Sequence, residues 1–354
     1  MELKAKDWNV MNEEIGANEV MILEPLRAKR AHRDARTLRY LTPDEYPLWD
    51  ALVEVSPQGS VFCRSWWLKA TAGDVRVLGY FNNENLVAGI PLYFEKRLGF
   101  MLCTMPKLTH TWGVVMEPLS GKRVTISSRE MEILRVFGER LKREKIFVQH
   151  FHPNLQNWLP FYWNGFRQTS RCTYLLDNLD DPDRLWSEMR ENIRGDIRKA
   201  QDQGLMVSPC GADCTFGAIT KTFQRQRMRQ PYSAEYFQQL YDAAIEKDAG
   251  KCFAARDSQG RVHAAAFLVW DRKAAYYLAG GGDPALRNSG ATSFLVWHMI
   301  QFSAQRSLRF DFEGSVVKSL ERFFRAFGAK QVLYNRIMKF PLWVRIWLAI
   351  EGKI

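Results

Sequence analysis

Two carboxylates stand two residues apart in the segment LRFDFEG, which is typical of a β-strand. Because side chains alternate along a strand, Asp311 and Glu313 face the same side of it. Burial beside a second carboxylate raises the pKa of one of them, which would suit it to accept a proton from an amine. The alternative is a structural pair at a strand end, in which one residue holds a loop and the other caps the following helix.

Two adjacent tyrosines on the preceding predicted strand supply a candidate proton donor. Tyr276 and Tyr277 point to opposite faces of the sheet, so only one of them can reach a given cleft. We predict Tyr277 to be the catalytic tyrosine, which protonates a leaving group or binds substrate. The other tyrosine is then expected to pack in the core.

A second motif, RNSGAT, opens a predicted helix shortly after a strand that ends in three glycines. Small residues at a helix N-terminus leave backbone N–H groups free at the positive end of the helix dipole, which favours a phosphate group. The predicted phosphate-binding residues are Arg287, Asn288, Ser289, Gly290, Ala291 and Thr292. The alternative is that Gly290 only allows close helix packing and that Thr292 caps the helix. The motif matches neither a P-loop nor a G-x-G-x-x-G fingerprint.

Basic residues cluster at two further places in the second half of the chain. The first cluster consists of Arg190, Arg194 and Arg198, which are spaced four apart and share one helix face. The second cluster lies between Arg225 and Arg229. We predict that Arg194, Arg198 and Arg229 bind phosphate groups of a substrate. The alternative is a surface helix whose own acidic residues pair with the first cluster.

No metal site is predicted. His150 and His152 share a strand face but lack an evident third ligand, and the C-x-x-x-C spacing of Cys210 and Cys214 has no second pair nearby. We therefore expect reduced, structural thiols. His298 is surrounded by apolar residues on a predicted helix, which favours a core position.

The 354 residues include 50 Lys and Arg against 39 Asp and Glu, a formal net charge of +11, and 46% of them are hydrophobic. These values are ordinary for a globular chain of about two domains and exclude a disordered chain or a disulfide-rich miniprotein. The N-terminus has no apolar signal segment and no run approaches about 20 apolar residues, so we expect a cytoplasmic location. The positive charge is compatible with nucleic acid, anionic lipid or a phosphorylated small molecule as partner.

The order of helices, hairpin strands, helix and strand recurs in both halves of the chain. A strand, then R-x-x-G-x-small at a helix start, then another strand, resembles the acyl-CoA-binding core of the GNAT acyltransferase superfamily. In that superfamily the pattern (Q/R)-x-x-G-x-(G/A) holds the pyrophosphate of coenzyme A, and here Thr292 departs from its last position. Other segments resemble the Fem-type aminoacyl and peptidyl transferases and their bacterial relatives over about residues 40–340. They are LWSEMRENIRGDIRKAQDQGLMV, LRFDFEGS with ERFFRAFGAKQVLYNRIMK, and VFCRSWWLKA with VLGYFNNENLVAGIPLYFEK.

The resemblance implies an α/β fold of two tandem GNAT-like domains, each a mixed, partly antiparallel sheet flanked by helices. We expect an N-terminal extension over residues 1–36 and a first GNAT-like domain over residues 37–178. A second GNAT-like domain over residues 179–340 would carry the donor-site motif. An apolar C-terminal tail would follow over residues 341–354.

The resemblance also implies transfer of an acyl or aminoacyl group to an amine, without a tightly bound cofactor. The Fem peptidyl transferases carry an F-K-x-G-F-G segment whose lysine is linked to catalysis, and here Phe324 takes the lysine position, followed by Arg325. We therefore expect an N-acyltransferase with acyl-CoA as co-substrate and, as acceptor, an amine of a cell-envelope, polysaccharide or metabolite precursor. One alternative is a peptidyl transferase with aminoacyl-tRNA as co-substrate and tRNA as partner. Another is a non-catalytic nucleic-acid or membrane-binding protein. For each of these functions, the apolar tail either docks on the protein body or makes a peripheral contact with an anionic membrane, which would add membrane association to the cytoplasmic location. Oligomeric state is not predicted.

Overall fold

The computed structural model describes residues 36–71, 73–97, 99–314 and 317–344. The predicted N-terminal extension lies outside these residues except for its last position, and so does most of the predicted tail. Within the ranges that are described, no helix has both the length and the apolar character that crossing a membrane requires. At the start of the tail, the Trp343 ring packs against Phe100, with 4.9 Å between the ring centroids.

The elements alternate between strands and helices along the chain. The α-helices of the described residues are α1 (Tyr46–Val55), α2 (Ser65–Ala70), α3 (Arg123–Leu141), α4 (Leu159–Tyr162), α5 (Pro182–Glu188), α6 (Glu191–Asp202), α7 (Ala212–Arg225), α8 (Ala234–Glu246), α9 (Ala291–Ser303) and α10 (Lys318–Arg325). The strands are β1 (Arg36–Tyr40), β2 (Asp74–Asn82), β3 (Asn85–Arg97), β4 (Phe100–Thr104), β5 (Val115–Met116), β6 (Phe147–His150), β7 (Arg167–Asp177), β8 (Met206–Cys210), β9 (Gly250–Arg256), β10 (Val262–Trp270), β11 (Ala275–Gly282), β12 (Arg309–Asp311) and β13 (Lys330–Lys339).

The strands form one mixed sheet in the order β1-β2-β3-β4-β6-β13-β7-β12-β11-β10-β9-β8, with β5 beside β3. The pairs β4–β6 and β11–β12 are parallel, whereas the other pairs are antiparallel. Helices cover both faces of this sheet, which confirms the predicted mixed α/β class. The final strand, β13, lies between β6 and β7, so the sheet runs without interruption past residue 178. The boundary predicted there stays a prediction.

The two faces of the sheet carry different helices. The face that bears Tyr276 and Asp311, called the front face below, is covered by α1 and α2 at one end and by α7 and α8 at the other, and α2 contacts α8. The opposite face, called the back face, is covered by the remaining helices. Between the two helix pairs, the central strands β7, β12 and β13 present polar side chains to the front. This gap in the helical layer is where the candidate site lies.

The segment that carries Arg190, Arg194 and Arg198 folds as two helices, α5 and α6. The chain breaks between them because the backbone N–H of Arg190 donates to the carbonyl of Ala326 (2.9 Å) instead of to its own helix. Thr42 and Glu45 form a capping box in the turn that leads into α1.

Candidate functional site

Strands β11 and β12 are parallel but pair at only two positions, Ala275 with Phe310 and Tyr276 with Asp311. Strand β12 ends at Asp311, whereas β11 continues to Gly282. From Tyr277 onward, the edge of β11 that faces away from β10 therefore has no strand beside it in the part of the chain that is described. Unpaired N–H and C=O groups along a strand edge can hydrogen-bond to an extended ligand.

Asp311 lies at the point where the two strands separate and is only 6% exposed. Its Oδ1 accepts a hydrogen bond from the hydroxyl of Thr173 and another from the backbone N–H of Glu313 (2.7 Å). Burial outweighs these hydrogen bonds and raises the pKa of Asp311 to about 6. The carboxyl group is therefore largely ionised at neutral pH yet remains close enough to that pH to act as a base.

Glu313 follows Asp311 in a backbone conformation that is rare for a residue with a side chain. Its φ is +57°, and the next residue, Gly314, also has a positive φ of +58°. A side chain at Gly314 would overlap the carbonyl of Cys172, so this turn lies directly against β7. Left-handed backbone at a non-glycine residue costs about 1–2 kcal/mol and concentrates at functional sites.

The Glu313 side chain is largely buried, with 14% of it exposed. Burial, and then the neighbouring Asp311 carboxylate, raise the pKa of Glu313 well above its usual range. Its Oε1 is buried and has no hydrogen-bond partner among the described residues. Burial thus raises the pKa of both carboxyl groups, and the Asp311 carboxylate raises that of Glu313 further. A pair of titratable groups with separated pKa values is the usual arrangement for an acid and a base.

A histidine from the first half of the chain reaches this pair. The Nδ1 atom of His110 lies 4.0 Å from Oε2 of Glu313, and its ring packs edge-on against Tyr334. Its neighbours fix its position, since Trp67 donates to the hydroxyl of Thr109 (3.0 Å). Burial, and then the positive charges of nearby histidines, lower the pKa of His110 to about 3. The ring is therefore uncharged near neutral pH.

A cavity of about 220 Å³ opens onto Asp311 from the front face and is also lined by Tyr276, His152 and Lys330. It shares its outer residues, among them Asn154 and Arg309, with an open groove of about 680 Å³. The groove passes between the two halves of the chain near the amino ends of β11 and β12. A molecule of moderate size therefore has a path from solvent to Asp311.

Lys273 closes one side of this groove and ties the two halves together. Its ammonium group donates to the backbone carbonyls of Val53 (2.8 Å), Ser56 (2.7 Å) and Gly59 (3.1 Å). These carbonyls stand at and just beyond the carboxyl end of α1, where helix carbonyls lack partners of their own. Burial lowers the pKa of Lys273, although Asp271 opposes this effect.

The predicted phosphate-binding loop lies at the amino end of α9. Residues Arg287–Ser289 form a single 3₁₀ turn, and Gly290 follows with a φ of +76°. A Cβ at Gly290 would overlap the backbone of Asp196 in α6, so this glycine also allows the two helices to pack closely. A role of Gly290 in phosphate binding and a role in close helix packing are thus both compatible with the fold. Arg287, Asn288 and Thr292 are exposed, whereas Ser289, Gly290 and Ala291 are buried.

The structure brings Asp311 and Glu313 together but places Tyr277 elsewhere. Tyr277 points to the back face, where its ring lies 6.2 Å from that of Phe324 and its hydroxyl occupies the space beside Gly280. Burial raises the pKa of Tyr277 to about 12. The tyrosine beside Asp311 is Tyr276, whose pKa burial raises well above its usual range.

The predicted substrate-binding arginines belong to sequence segments far from Asp311 and Glu313, on α6 and just after α7. Arg194 and Arg198 both donate to Glu191, at 2.7 Å and 2.9 Å, as the surface-helix interpretation requires. Arg229 is exposed beyond the end of α7. Their predicted role in binding substrate stays a prediction.

The sequence pointed to the carboxylate pair but not to three residues that contact or line it. Thr173, His110 and Lys273 come from distant segments, and no spacing in the sequence links them to Asp311. The usable signal was the alternation of side chains at Tyr276 and Tyr277, which required one tyrosine to share the face of Asp311. This alternation did not show whether Tyr276 or Tyr277 is the one that shares the face.

Comparison with known proteins gives a consistent result. Residues 187–325 match the family model of the acetyltransferase (GNAT) domain. No curated protein sequence matches the chain significantly. Among solved structures, the chain is similar to FemX, with 14% identity and a TM-score of 0.65 over 84% of this chain and 96% of that one.

Two further solved structures share the fold. One is a tandem GNAT protein from the clavulanic acid biosynthesis pathway, at 10% identity and a TM-score of 0.52, over 86% of this chain and 98% of that one. The other is L-PGS from Bacillus licheniformis, at 12% identity and a TM-score of 0.50, over 88% of this chain and 96% of that one. Likeness at these identities concerns the fold alone, whereas the family-model match covers the elements from α6 to α10. Residues 187–325 thus resemble an acetyltransferase (GNAT) domain, and the chain as a whole has a fold like that of FemX.

Proposed function

We propose that this protein is an N-acyltransferase that moves an acyl group from acyl-CoA to the amine of a small or precursor molecule. The observation that carries the proposal is the buried pair Asp311 and Glu313, which lies where β11 and β12 separate. Burial raises the pKa of Asp311 to about 6 and that of Glu313 well above its usual range, so we assign Asp311 as the base and Glu313 as the acid. Acyl transfer from a thioester to an amine uses one group of each kind.

The donor would enter along the open edge of β11. Its phosphate groups would bind at the first turn of α9, where free N–H groups and the helix dipole favour an anion and Arg287 adds a positive charge. An extended, amide-containing arm would pair with the unpartnered edge of β11 between Tyr277 and Gly282, a length of roughly 20 Å. This path ends at Tyr276 and Asp311.

The acceptor would enter from the other direction, through the groove beside Lys273. The groove opens at the amino ends of β11 and β12, whereas the loop before α9 follows the carboxyl end of β11. The two substrates would thus approach the carboxylates from opposite ends of the strands. This arrangement places an amine and a thioester side by side without competition for the same space.

The proton transfers follow from the assignment of Asp311 as the base and Glu313 as the acid. As the amine nitrogen forms its bond to the acyl carbon, Asp311 accepts the proton that the nitrogen loses. As the carbon–sulfur bond breaks, Glu313 donates its proton to the departing thiolate. Proton exchange between the two carboxyl groups, or with solvent through the groove, restores the starting state.

An aminoacyl-tRNA donor is less well supported by the site. Phe324, at the position of the Fem-type lysine, is buried and its ring lies 5.2 Å from that of Phe312. The next residue, Arg325, is committed to Glu321 (2.6 Å) on the helix surface. The chain thus offers no cation at the position of the Fem-type lysine. The excess of basic residues elsewhere is the reason to test charged tRNA as a donor as well.

The test is a transfer assay with acetyl-CoA and longer acyl-CoA thioesters against a panel of amino sugars, nucleotide-linked amino sugars, amino acids and polyamines. Release of free thiol that depends on the acceptor supports the proposal. Asp311→Asn and Glu313→Gln should each remove it, whereas the exposed Asp242→Asn should act like the wild type. Acyl transfer from charged tRNA alone would assign the other donor. Binding of tRNA or anionic vesicles without any transfer would assign a non-catalytic role.

A further inference from the structure

Several large apolar side chains are exposed at one end of the sheet. Trp163 and Trp343 are 61% and 52% exposed, and Tyr162, Phe100 and Leu342 are exposed as well. Tryptophan is highly buried on average in folded proteins. A cluster of exposed aromatic and aliphatic side chains marks a surface that binds another molecule or a membrane.

Strand pairing brings Phe100 and Trp343 to the same end of the sheet. Phe100 begins β4, and Cys103 in that strand pairs with Phe147 at the start of β6. Phe147 pairs in turn with Lys339, the last residue of β13. The chain continues from there to Trp343, whose ring packs on that of Phe100.

The other tryptophan, Trp163, lies between α4 and β7 at this end. The first residue of β7, Arg167, pairs with Met338, so β7 starts where β13 ends. Phe166 packs edge-on against Phe147, with 5.3 Å between the ring centroids, and Trp163 lies in the turn just before it. We call the exposed residues at this end the apolar patch: Phe100, Tyr162, Trp163, Leu342 and Trp343.

Two exposed basic residues flank the apolar patch at the β3–β4 hairpin. Arg97 pairs with Phe100, and Lys96 pairs with Met101, which is also exposed. Because directly opposed residues of antiparallel strands share a face, Arg97 lies on the side of Phe100 and Lys96 on the side of Met101. The end of the hairpin thus carries an apolar side chain and a cation on each face.

The turn between α3 and β6 adds a second group of cations. It contains the exposed residues Lys142, Arg143 and Lys145. The ammonium group of Lys339 donates to the carbonyl of Lys142, which ties the end of β13 to this turn. Arg167, at the start of β7, is exposed beside them.

Positive charge therefore predominates around the apolar patch. Residues 95–97, 142–145, 167 and 339 include seven basic residues and two acidic ones, Glu95 and Glu144. Glu144 is already paired with Arg140 of α3 (3.1 Å). Exposed tryptophan and tyrosine rings are typical of surfaces that lie at the headgroup level of a bilayer, and clustered Lys and Arg are attracted to anionic lipids.

We propose that the apolar patch and the basic residues around it form a surface that docks on a membrane containing anionic lipid. The rings of Trp163 and Trp343 enter the headgroup region, and the cations lie against the lipid phosphate groups. Nucleic acid would match the charge but not the apolar patch, because aliphatic side chains such as Leu342 offer no ring on which a base stacks. The proposal does not depend on the acyl donor.

Docking at this end leaves the acceptor groove open to solvent. The apolar patch adjoins the start of β7 at Arg167, whereas the groove is lined by Asp177 at the other end of that strand. The eleven residues of β7 span roughly 35 Å. A docked protein therefore still receives an acceptor from solution, on the side that faces away from the bilayer.

The experiment measures sedimentation of the full chain with vesicles of phosphatidylcholine alone and of phosphatidylcholine with phosphatidylglycerol. We expect saturable binding to the vesicles that contain phosphatidylglycerol, which weakens as ionic strength rises. Arg143→Glu combined with Lys145→Glu should weaken this binding at least about tenfold. Trp163→Gln combined with Trp343→Gln should weaken it about tenfold and reduce the quenching of tryptophan fluorescence by brominated acyl chains. The charge variant changes only exposed side chains, so it remains informative if the tryptophan variant folds poorly.

Matched controls place the same kinds of change elsewhere on the surface. Lys199→Glu combined with Lys247→Glu alters the net charge equally, on α6 and just after α8, and Met206→Gln removes an exposed apolar side chain of β8. All of these controls should bind vesicles like the wild type.

Three results would overturn the proposal. The first is a lack of binding to vesicles that contain phosphatidylglycerol, or binding that both patch variants retain. The second is equal weakening by the control charge variant, because net charge alone would then govern binding. The third is binding of single-stranded RNA, but not of vesicles, that the Arg143 and Lys145 variant loses, which would assign the surface to nucleic acid. None of these measurements needs a substrate, so they are independent of the proposed acyl transfer.

Discussion

Replacement of Gly290 by alanine should destabilise the protein for two separate reasons. The backbone at this position has a φ of +76°, which costs a residue with a Cβ about 1–2 kcal/mol. The new methyl group would also lie 2.8 Å from the carbonyl carbon of Asp196 and 3.1 Å from its Cα, a degree of overpacking that costs about 1–3 kcal/mol. Gly290→Ala should therefore lower the free energy of unfolding by roughly 2–5 kcal/mol.

Chemical denaturation followed by circular dichroism measures this change, and Gly195→Ala is the matched control. Gly195 lies in the interior of α6, next to Asp196, and a Cβ there meets nothing within 4 Å. Gly195→Ala should raise the free energy of unfolding by about 0.5–1 kcal/mol because alanine loses less backbone freedom in a helix. If Gly290→Ala is as stable as the wild type, the close contact between α6 and α9 is misplaced and so is the loop that it positions.

Three further changes test other parts of the site. Glu313→Asn should raise the free energy of unfolding by about 1 kcal/mol, since asparagine tolerates the left-handed backbone, while transfer activity is lost; denaturation and turnover assays report the two effects. Because Asp311 must be ionised to act as the base, kcat/KM should rise with pH through about 6 and then level off in a pH–rate profile. Asp311→Asn should remove that rise and lower the rate by about 10²–10⁴-fold. Lys273→Met should lower the free energy of unfolding by about 1–3 kcal/mol, because three carbonyls of the α1 end lose their donor; an unchanged denaturation midpoint would contradict the bridging role.

Local chemistry in the sequence predicted a large part of this molecule. The capping box at Thr42 and the β2–β3 hairpin depend on neighbouring residues alone, and both are present in the structure. The alternation of strand side chains also brought Asp311 and Glu313 to one site without reference to any other element. The resemblance to the GNAT superfamily is confirmed by the family-model match over residues 187–325.

The remaining features depend on contacts between distant segments. The break between α5 and α6 is caused by the carbonyl of Ala326, more than a hundred residues away, and no helix signal in the sequence reports it. The choice between Tyr276 and Tyr277 depends on the register of β11 against β12. His110 reaches Glu313 only because the last strand, β13, inserts between β6 and β7 and brings the two halves of the sheet together.

The most direct test of the account is a single-turnover measurement of acyl transfer from acyl-CoA to an amine acceptor. The wild type should bind acyl-CoA saturably and release free thiol together with the acylated amine. Arg287→Ala should weaken acyl-CoA binding, whereas Asp311→Asn and Glu313→Gln should retain binding and lose transfer. Full transfer by both carboxylate variants would contradict the account, because the buried pair would then take no part in the reaction.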